Sequence, residues 1–309
     1  MGKRLLIVRV FIDIVCLAVV SIPILLMKLH AQPFRRGFYC DDESLMHPHK
    51  PDTVPTWVVS FIGIALPVVL IIIIEGVHLS VFKRGCTNAI HNKPYIKTLY
   101  RTISAFLFGC AVTQLTTDIA KYSIGRLRPH YITLCKPKVE VIANCSSLTG
   151  YIEADVCTST NTDDLIEARL SFPSGHTSFA FYCMLYLVVY LQVKFRWRKC
   201  WLVRPLIQLG IFVMAYYTAL SRISDYMHHW SDVLGGAVLG AVVCFFVIYL
   251  ITDLPKVYMK TSTFVTNAEL PLYQSTRNED HTSDQSSSSS VISNNGLMPI
   301  RGQKNNSPP

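Results

Sequence analysis

The stretch VVSFIGIALPVVLIIIIEGVHL, residues 58–79, contains only Glu75 and His78 as strongly polar side chains. As a helix it would be about 33 Å long at 1.5 Å per residue, which is enough to cross a bilayer. A buried helix of a soluble protein could also be this apolar. That alternative fails because similar apolar runs recur about six times within roughly the first 250 residues. The sequence therefore predicts an integral membrane protein.

We predict six membrane-spanning helices, at about residues 5–27, 58–79, 100–120, 175–193, 206–220 and 232–252. The first is too long and too apolar for a typical cleaved signal peptide, so we expect it to be retained. The predicted fold class is an all-α integral membrane protein, a six-transmembrane-helix bundle formed by residues 1–255. Residues 256–309 are predicted to be a disordered tail, because a segment dominated by Ser, Asn, Gln, Pro and charged residues cannot bury enough apolar surface.

The positive charge of the chain lies in its predicted loops. The formal net charge is +9, but the basic residues are scattered at helix ends and form no basic face, so nucleic acid is not an expected partner. They concentrate before span one and after spans two and four, which share one side of the membrane if the helices alternate. The positive-inside rule makes that side cytoplasmic, together with both termini and the tail.

The loops on the opposite side carry residues that suit an oxidising compartment. Cys40, Cys135, Cys145 and Cys157 fall there, and four cysteines allow three disulfide pairings, among which the sequence does not choose. Asn144, in the pattern Asn-Cys-Ser, is a candidate N-glycosylation site in one of the same loops.

Three polar clusters fall at one face of the predicted bundle. They are residues 121–129 at the end of span three, residues 173–176 at the start of span four, and residues 221–232 between spans five and six. Because spans three and five lead outward and spans four and six lead back, all three clusters meet the outer face. Ionisable residues beside membrane spans indicate a functional site by default.

The first cluster supplies two cations. Lys121 and Arg128 are two helical turns apart, so they share a face if the helix persists as far as Pro129, which is predicted to end it. Lys and Arg at span ends often extend to lipid head groups, so these two cations alone do not establish a site.

The second cluster begins a helix. Pro173 suits a first helical turn, and the N–H groups of Ser174, Gly175 and His176 would point outward with the positive end of the helix dipole, which makes a ready anion site. His176 could also donate a proton near neutral pH. An ordinary helix start with an interfacial histidine would contain the same residues.

The third cluster combines Arg222 with two histidines. On a helix, His228 and Asp232 share a face, and the carboxylate would fix the imidazole tautomer and leave the other nitrogen free as a nucleophile. His229 is three residues from Asp232, and spacing alone does not decide between the histidines. A metal site is disfavoured because the neighbouring cations would repel a divalent ion. The combined groups suit a phosphate in transfer.

In this order and spacing, the clusters resemble the signature motifs of the type 2 phosphatidate phosphatase superfamily. The matching positions are Lys121, Arg128, Pro129, Pro173, Ser174, Gly175, His176, Ser221, Arg222, His228 and Asp232. The strings RGFYC at 36–40, TDIAK at 117–121 and DYMHHWSD at 225–232 resemble the animal lipid phosphate phosphatases in particular.

The resemblance implies a phosphoric monoester hydrolase that needs no metal or other cofactor. It implies that His228 attacks phosphorus, that Asp232 orients His228, and that His176 protonates the departing oxygen and later helps to activate water. The residues implied to hold the phosphate are Lys121, Arg128, Ser174, Gly175 and Arg222. The implied substrates are phosphatidate, lysophosphatidate, sphingosine 1-phosphate and ceramide 1-phosphate, cleaved to inorganic phosphate and the lipid alcohol.

The resemblance also implies an active site that is extracellular or lumenal, and homo- or hetero-oligomers, since members of the family associate. We expect the plasma membrane as the location, with the endoplasmic reticulum or Golgi as the alternative. Two other functions stay open at this stage. The chain could hydrolyse a soluble phosphate ester, or it could be a non-catalytic transporter or adhesion protein with an anion site.

Overall fold

The computed structural model describes residues 3–85, 92–138, 140, 150–153, 156–195, 201–252 and 254. The helices in this part of the chain are α1 (Lys3–His30), α2 (Thr56–Gly85), α3 (Asn92–Ile124), α4 (Tyr131–Cys135), α5 (Thr162–Glu167), α6 (Gly175–Lys194), α7 (Val203–Ser224) and α8 (Trp230–Phe246). A π-helical turn, Val247–Ile251, continues α8. The predicted tail lies outside the described residues.

Six of these helices are long and apolar enough to cross a membrane. The spans are Ile7–His30, Thr56–Val77, Ile96–Ile124, Gly175–Lys194, Val203–Ser224 and Trp230–Ile251. They overlap the six predicted spans, so the predicted fold class is confirmed. Several helices extend past the predicted ends, because hydropathy marks the apolar centre of a helix while its polar end turns continue further.

Helix α6 is central in the bundle and packs against α2, α3, α7 and α8. Its contact with α8 is close because Gly236 and Gly240 face it. A Cβ atom at Gly240 would lie only 2.3 Å from the Ser178 carbonyl oxygen. Small residues let helix backbones approach each other inside a membrane, where lipid removes the hydrophobic drive for association. This contact fixes the start of α6 against the start of α8.

Three buried tyrosines of α6 connect it to its neighbours. Tyr182 and Tyr186 donate hydrogen bonds to backbone carbonyls of α3 at 2.9 and 3.2 Å. Tyr190 donates to Glu75 of α2 at 3.0 Å, and the same Glu75 oxygen lies 2.9 Å from Lys194 Nζ. A buried hydroxyl is costly unless it is bonded, so these pairs fix the rotation of α6 in the bundle.

The loops at the end of the bundle where α3 ends and α6 begins form a second layer. Strand β1 (Phe38–Tyr39) pairs antiparallel with β2 (Tyr151–Ile152), and a 3-10 turn, Glu43–Leu45, precedes α2. Tyr131 is fully buried at the centre of a small hydrophobic cluster in this layer. The layer covers the end of the bundle that carries the three polar clusters.

A disulfide between Cys135 and Cys157 closes part of this layer. It selects one of the pairings that the sequence left open. Cys40 is also disulfide-bonded. Asn144 and Cys145, which carry the predicted glycosylation site and the fourth outer cysteine, lie outside the described residues.

Candidate active site

The three polar clusters meet at one cavity of about 380 Å³. The predicted site residues that line it are Lys121, Arg128, Gly175, His176, Arg222 and His228. The other two, Ser174 and Asp232, are fully buried behind it. Three segments that are distant in sequence therefore contribute to a single site, as the counting of spans predicted.

Lys121 and Arg128 reach this cavity from different structural elements. Helix α3 ends at Ile124, and Gly125 follows with φ +58° and donates its N–H to the Lys121 carbonyl at 3.0 Å. A Cβ atom at Gly125 would lie 2.0 Å from the Phe34 carbonyl oxygen, so this left-handed helix end requires glycine. The prediction that the helix persists to Pro129 is therefore wrong, and the two cations do not share a helix face.

Arg128 is buried and lies in the loop that follows α3. Its backbone N–H donates to the Ala168 carbonyl at 2.8 Å, which ties this loop to the end of α5. Its guanidinium forms an ion pair with Glu167 at 3.0 Å. The Arg128 charge beside it lowers the pKa of Glu167, so this carboxylate is ionised at neutral pH.

The start of α6 provides two outward N–H groups where three were predicted. The Ser174 N–H donates to the Asp232 carbonyl at 3.0 Å, so it serves the contact between α6 and α8 and is not available to an anion. Gly175 and His176 occupy the first positions of the helix, where N–H groups have no intrahelical acceptor. A Cβ atom at Gly175 would lie 3.4 Å from Lys121 Nζ, so the helix start and this ammonium group are adjacent.

His176 projects into the cavity from the first turn of α6. Its Nε2 lies 3.4 Å from the Thr56 hydroxyl, at the first residue of α2. Thr56 also lines the cavity. The imidazole is therefore held at the cavity wall by a neighbour that can donate or accept a hydrogen bond.

Arg222 is 1% exposed and is held by two carboxylates. Its terminal nitrogens lie 2.8 Å from Asp52 and 2.9 Å from Asp225. Thr53 holds Asp225 in turn, through its N–H at 2.8 Å and its hydroxyl at 2.6 Å. The guanidinium is thereby fixed at the cavity by the segment that precedes α2.

His228 and His229 approach the Asp232 carboxylate at different distances. Helix α8 begins at Trp230, so the helical spacing assumed for His228 and Asp232 does not exist. The closest approach of His228 Nδ1 to the Asp232 carboxylate is 3.9 Å, which is too long for a hydrogen bond. His229 approaches the same carboxylate more closely, with its N–H at 3.0 Å and its Nδ1 at 3.2 Å.

Ser171 links His228 to Asp232. Its hydroxyl donates to Asp232 at 2.6 Å and lies 3.5 Å from His228 Nδ1. Arg126 also contacts Asp232, at 2.5 Å, so the carboxylate is held by several donors. The Asp232 carboxylate is therefore connected to His228 through the Ser171 hydroxyl and not by a direct hydrogen bond.

The His228 imidazole is nearly fully buried. Burial lowers the pKa of His228 well below its usual value, and the charges of Arg128 and Lys121 lower it further. The imidazole is therefore neutral at physiological pH, which is the state that a nucleophilic nitrogen requires.

Comparison with known proteins agrees with these motifs. The family model described as "PAP2 superfamily" matches residues 102–256, which include all three clusters. The chain belongs to the PAP2 superfamily. It is similar to phospholipid phosphatase 1 of Rattus norvegicus, with 40% identity over 273 residues, 88% of this chain and 95% of the relative.

Two further relatives extend this PAP2 assignment. A putative phosphatidate phosphatase of Drosophila melanogaster is 42% identical over 82% of this chain and 70% of its own length. Phospholipid phosphatase 2 of Homo sapiens is 38% identical over 81% of this chain and 84% of its own length. No solved structure shows a significant match.

Several residues of this PAP2 site were missed by the sequence reasoning. They are Asp52, Thr56, Arg126, Glu167, Ser171 and Asp225. Arg126 and Ser171 lie within or beside recognised clusters, so proximity could have indicated them. Asp225 lies within the third cluster and could also have been found by proximity, whereas Asp52, Thr56 and Glu167 lie outside the clusters and only the tertiary structure brings them to the cavity. Within the described residues, no group of three or more His, Cys, Asp or Glu side chains is arranged to hold a metal ion.

Proposed function

We propose that this PAP2 protein is a metal-independent lipid phosphate phosphatase that works through a phosphohistidine intermediate. The observation that supports this function best is the one cavity that is lined by four cations (Lys28, Lys121, Arg128 and Arg222), the start of α6 and two histidines. Negative charge on the phosphoryl oxygens is spread over such preplaced donors during transfer. The names of the relatives support a lipid ester as the substrate.

The proposed reaction has two steps. His228 attacks phosphorus through Nε2, the bond between phosphorus and the lipid oxygen breaks, and His176 gives its proton to that oxygen. Water then attacks the phosphohistidine and gives a proton to His176, which releases inorganic phosphate and frees His228. Splitting the hydrolysis in this way replaces one difficult step by two easier ones.

The phosphate is held in both steps by Lys121, Arg128, Arg222 and the N–H of Gly175. The Ser174 hydroxyl lies behind the phosphate site and supports the start of α6. Asp232 positions His228, with Ser171 as the bridge. The substrates are phosphatidate, lysophosphatidate, sphingosine 1-phosphate and ceramide 1-phosphate. In each of these the acyl or sphingoid chain stays in the bilayer while the phosphate enters the cavity.

The proposed active site faces the cell exterior or a lumen, with the plasma membrane as the expected location. Residues 1–255 form the catalytic domain, and residues 256–309 form a cytoplasmic tail. The distribution of basic residues among the loops supports this orientation.

The test is release of phosphate from lysophosphatidate by the purified full-length protein in EDTA. His228→Ala, His176→Ala and Arg222→Ala are each expected to abolish activity, whereas His229→Ala lowers it only mildly and serves as the matched histidine control. Retained activity in His228→Ala would refute the proposed nucleophile. A higher rate on glucose 6-phosphate than on lysophosphatidate would refute the lipid substrate class.

A further inference from the structure

The cavity of the candidate active site contains a fourth cation that the sequence motifs did not indicate. Lys28, in the last turn of α1, lines the same cavity as Lys121, Arg128 and Arg222. It lies outside residues 102–256, which the PAP2 family model matches. Its ammonium group is near enough to Lys121 for the two positive charges to repel each other. Helix α1 therefore adds a positive charge to the site, beside Lys121.

The position of Lys28 is set by the segment that follows α1. The Phe34 N–H donates to the Tyr122 carbonyl at 2.9 Å, and the Phe34 carbonyl oxygen lies against Gly125. These contacts hold the chain after α1 against the last turn of α3 and the residue that ends it. Lys28 is thereby kept at the wall of the cavity, although α1 packs on the bundle chiefly through α3.

The carboxylates that line this cavity are each engaged by one of the other three cations. Asp52 and Glu167 form ion pairs with the two arginines, at 2.8 and 3.0 Å. Asp118 is buried in α3, attracts Lys121, and accepts hydrogen bonds from the Gln114 amide at 2.9 and 3.0 Å. The negative charge of the cavity is therefore distributed among the cations that belong to the sequence motifs.

Lys28 is the cation that stays available. It forms no ion pair and no hydrogen bond with any residue that the structure describes, and its side chain is exposed. A lysine at the end of a span commonly extends to lipid head groups, but this one also lines the catalytic cavity. Its charge can therefore act on a molecule that occupies the cavity.

Lys28 lies on the side where the cavity opens toward the bilayer. The exposed lining residues Lys28 and Ser60 belong to the spans Ile7–His30 and Thr56–Val77. Glu167, another exposed lining residue, belongs to the loop layer that covers the end of the bundle. A lipid whose phosphate is in the cavity and whose chains stay in the bilayer must therefore place its backbone between α1 and α2, next to Lys28.

We propose that Lys28 selects among lipid phosphates by the charge on the backbone carbon next to the one that bears the phosphate. This inference rests on the proposed function. In sphingosine 1-phosphate that carbon carries an ammonium group at neutral pH, whereas it carries a neutral amide in ceramide 1-phosphate and a hydroxyl in 1-acyl lysophosphatidate. The Lys28 ammonium repels the first and donates a hydrogen bond to an oxygen of the other two. A repulsive contact against one of several similar ligands is a general means of specificity.

The test uses two substrates that share a backbone and differ in this charge, sphingosine 1-phosphate and its N-acetyl derivative. Phosphate release by the purified full-length protein is measured in micelles of a nonionic detergent. The ratio of kcat/KM for the N-acetyl compound to that for sphingosine 1-phosphate is expected to fall about tenfold in Lys28→Glu and about threefold in Lys28→Gln. In Lys28→Arg, which keeps the charge, the ratio should stay within about twofold of the wild type.

Arg35→Glu is the matched control, because it makes the same change of charge at an exposed residue that does not line the cavity. It is expected to leave the ratio unchanged. The wild-type ratio should also fall as the salt concentration rises, since salt screens the repulsion between exposed charges. An unchanged ratio in Lys28→Glu, or an equal change in Arg35→Glu, would overturn the role of Lys28 and leave the phosphatase function intact. Release of phosphate from neither lipid by the wild type would overturn the proposed function, and this inference with it.

Discussion

The two arginines at the candidate active site, Arg128 and Arg222, are held in contrasting ways. The Arg222 side chain is 1% exposed, and one of its carboxylate partners, Asp225, is itself 7% exposed. The Arg128 side chain is 10% exposed, and its partner, Glu167, is 67% exposed. In the described part of the chain, Nε of Arg128 is buried without a hydrogen-bond partner.

This difference separates two ways of presenting a cation to phosphate. Arg222 is fixed before substrate arrives, at the cost of burying charges that must stay paired. The counter-charge of Arg128 is solvated, and an exposed ion pair contributes little free energy, so a phosphate can displace Glu167 readily. We infer that Arg222 sets the geometry of the site and that Arg128 completes the phosphate contacts when substrate binds.

Replacing each arginine by methionine should separate these roles. Both variants are expected to lose at least about 10²-fold in phosphate release, because each removes a donor from the transition state. Only Arg222→Met should also unfold easily, since it leaves the buried Asp225 carboxylate without its cation, at a cost of about 3–5 kcal/mol. Thermal unfolding in detergent measures the difference, and equal losses of stability in the two variants would contradict the comparison.

Asp225→Asn should have the next largest effect. It removes the charge that holds Arg222 while keeping the size of the side chain, so Arg222 loses part of its fixed orientation. We expect kcat to fall by about tenfold or more, because orientation of a catalytic donor is worth at least that much. Asp163→Asn, at an exposed position of α5, is the control, and an Asp225→Asn variant with the same kcat as this control would sink the idea.

Glu167→Gln should act in the opposite direction on binding. Removing the competing carboxylate frees Arg128 for phosphate, so inorganic phosphate is expected to inhibit this variant several-fold more strongly than the wild type. The unfolding free energy should change by no more than about 1 kcal/mol, because the carboxylate is largely exposed. Weaker inhibition by phosphate would show that Glu167 supports the anion site and does not compete with it.

The parts of the molecule that the sequence predicted well are those governed by composition along the chain. Six apolar runs predicted six spanning helices, and alternation of the spans predicted that clusters around Arg128, His176 and Arg222 would meet. These predictions need no knowledge of side-chain packing. They follow from the thickness of the bilayer and from the requirement that each helix cross it.

The parts that the sequence did not predict depend on how chain segments end and approach one another. Gly125 ends α3 early because the Phe34 carbonyl lies against it, and Ser174 loses its free N–H because α8 begins beside it. The hydrogen-bond donors to the Asp232 carboxylate come from three segments of the chain. Two of these donors, Arg126 and Ser171, are too far from Asp232 in sequence for a helical pattern to predict the contact. Such contacts are set by tertiary structure, which no local pattern encodes.

The smallest expected effect concerns His130, which joins the two arginine loops. It follows Arg128 by two residues, is 2% exposed, and its Nδ1 lies 2.9 Å from the Tyr226 carbonyl in the loop after Arg222. The pKa of His130 is lowered to about 4, chiefly by burial and also by the nearby charges of Arg128 and His49. The hydrogen bond to the Tyr226 carbonyl and the charge of Glu167 raise this pKa, but by less. At neutral pH the imidazole is therefore uncharged and donates to Tyr226.

Stability of the protein should consequently fall as pH falls from about 6.5 toward about 4. Over that range the unfolded chain binds a proton at this histidine and the folded chain does not, so protonation favours unfolding. His130→Asn keeps a donor near the position of Nδ1 but cannot titrate, so its unfolding temperature should depend less steeply on pH. A variant whose pH dependence matched the wild type would place the acid sensitivity elsewhere and would remove His130 as the neutral link between the loops of Arg128 and Arg222.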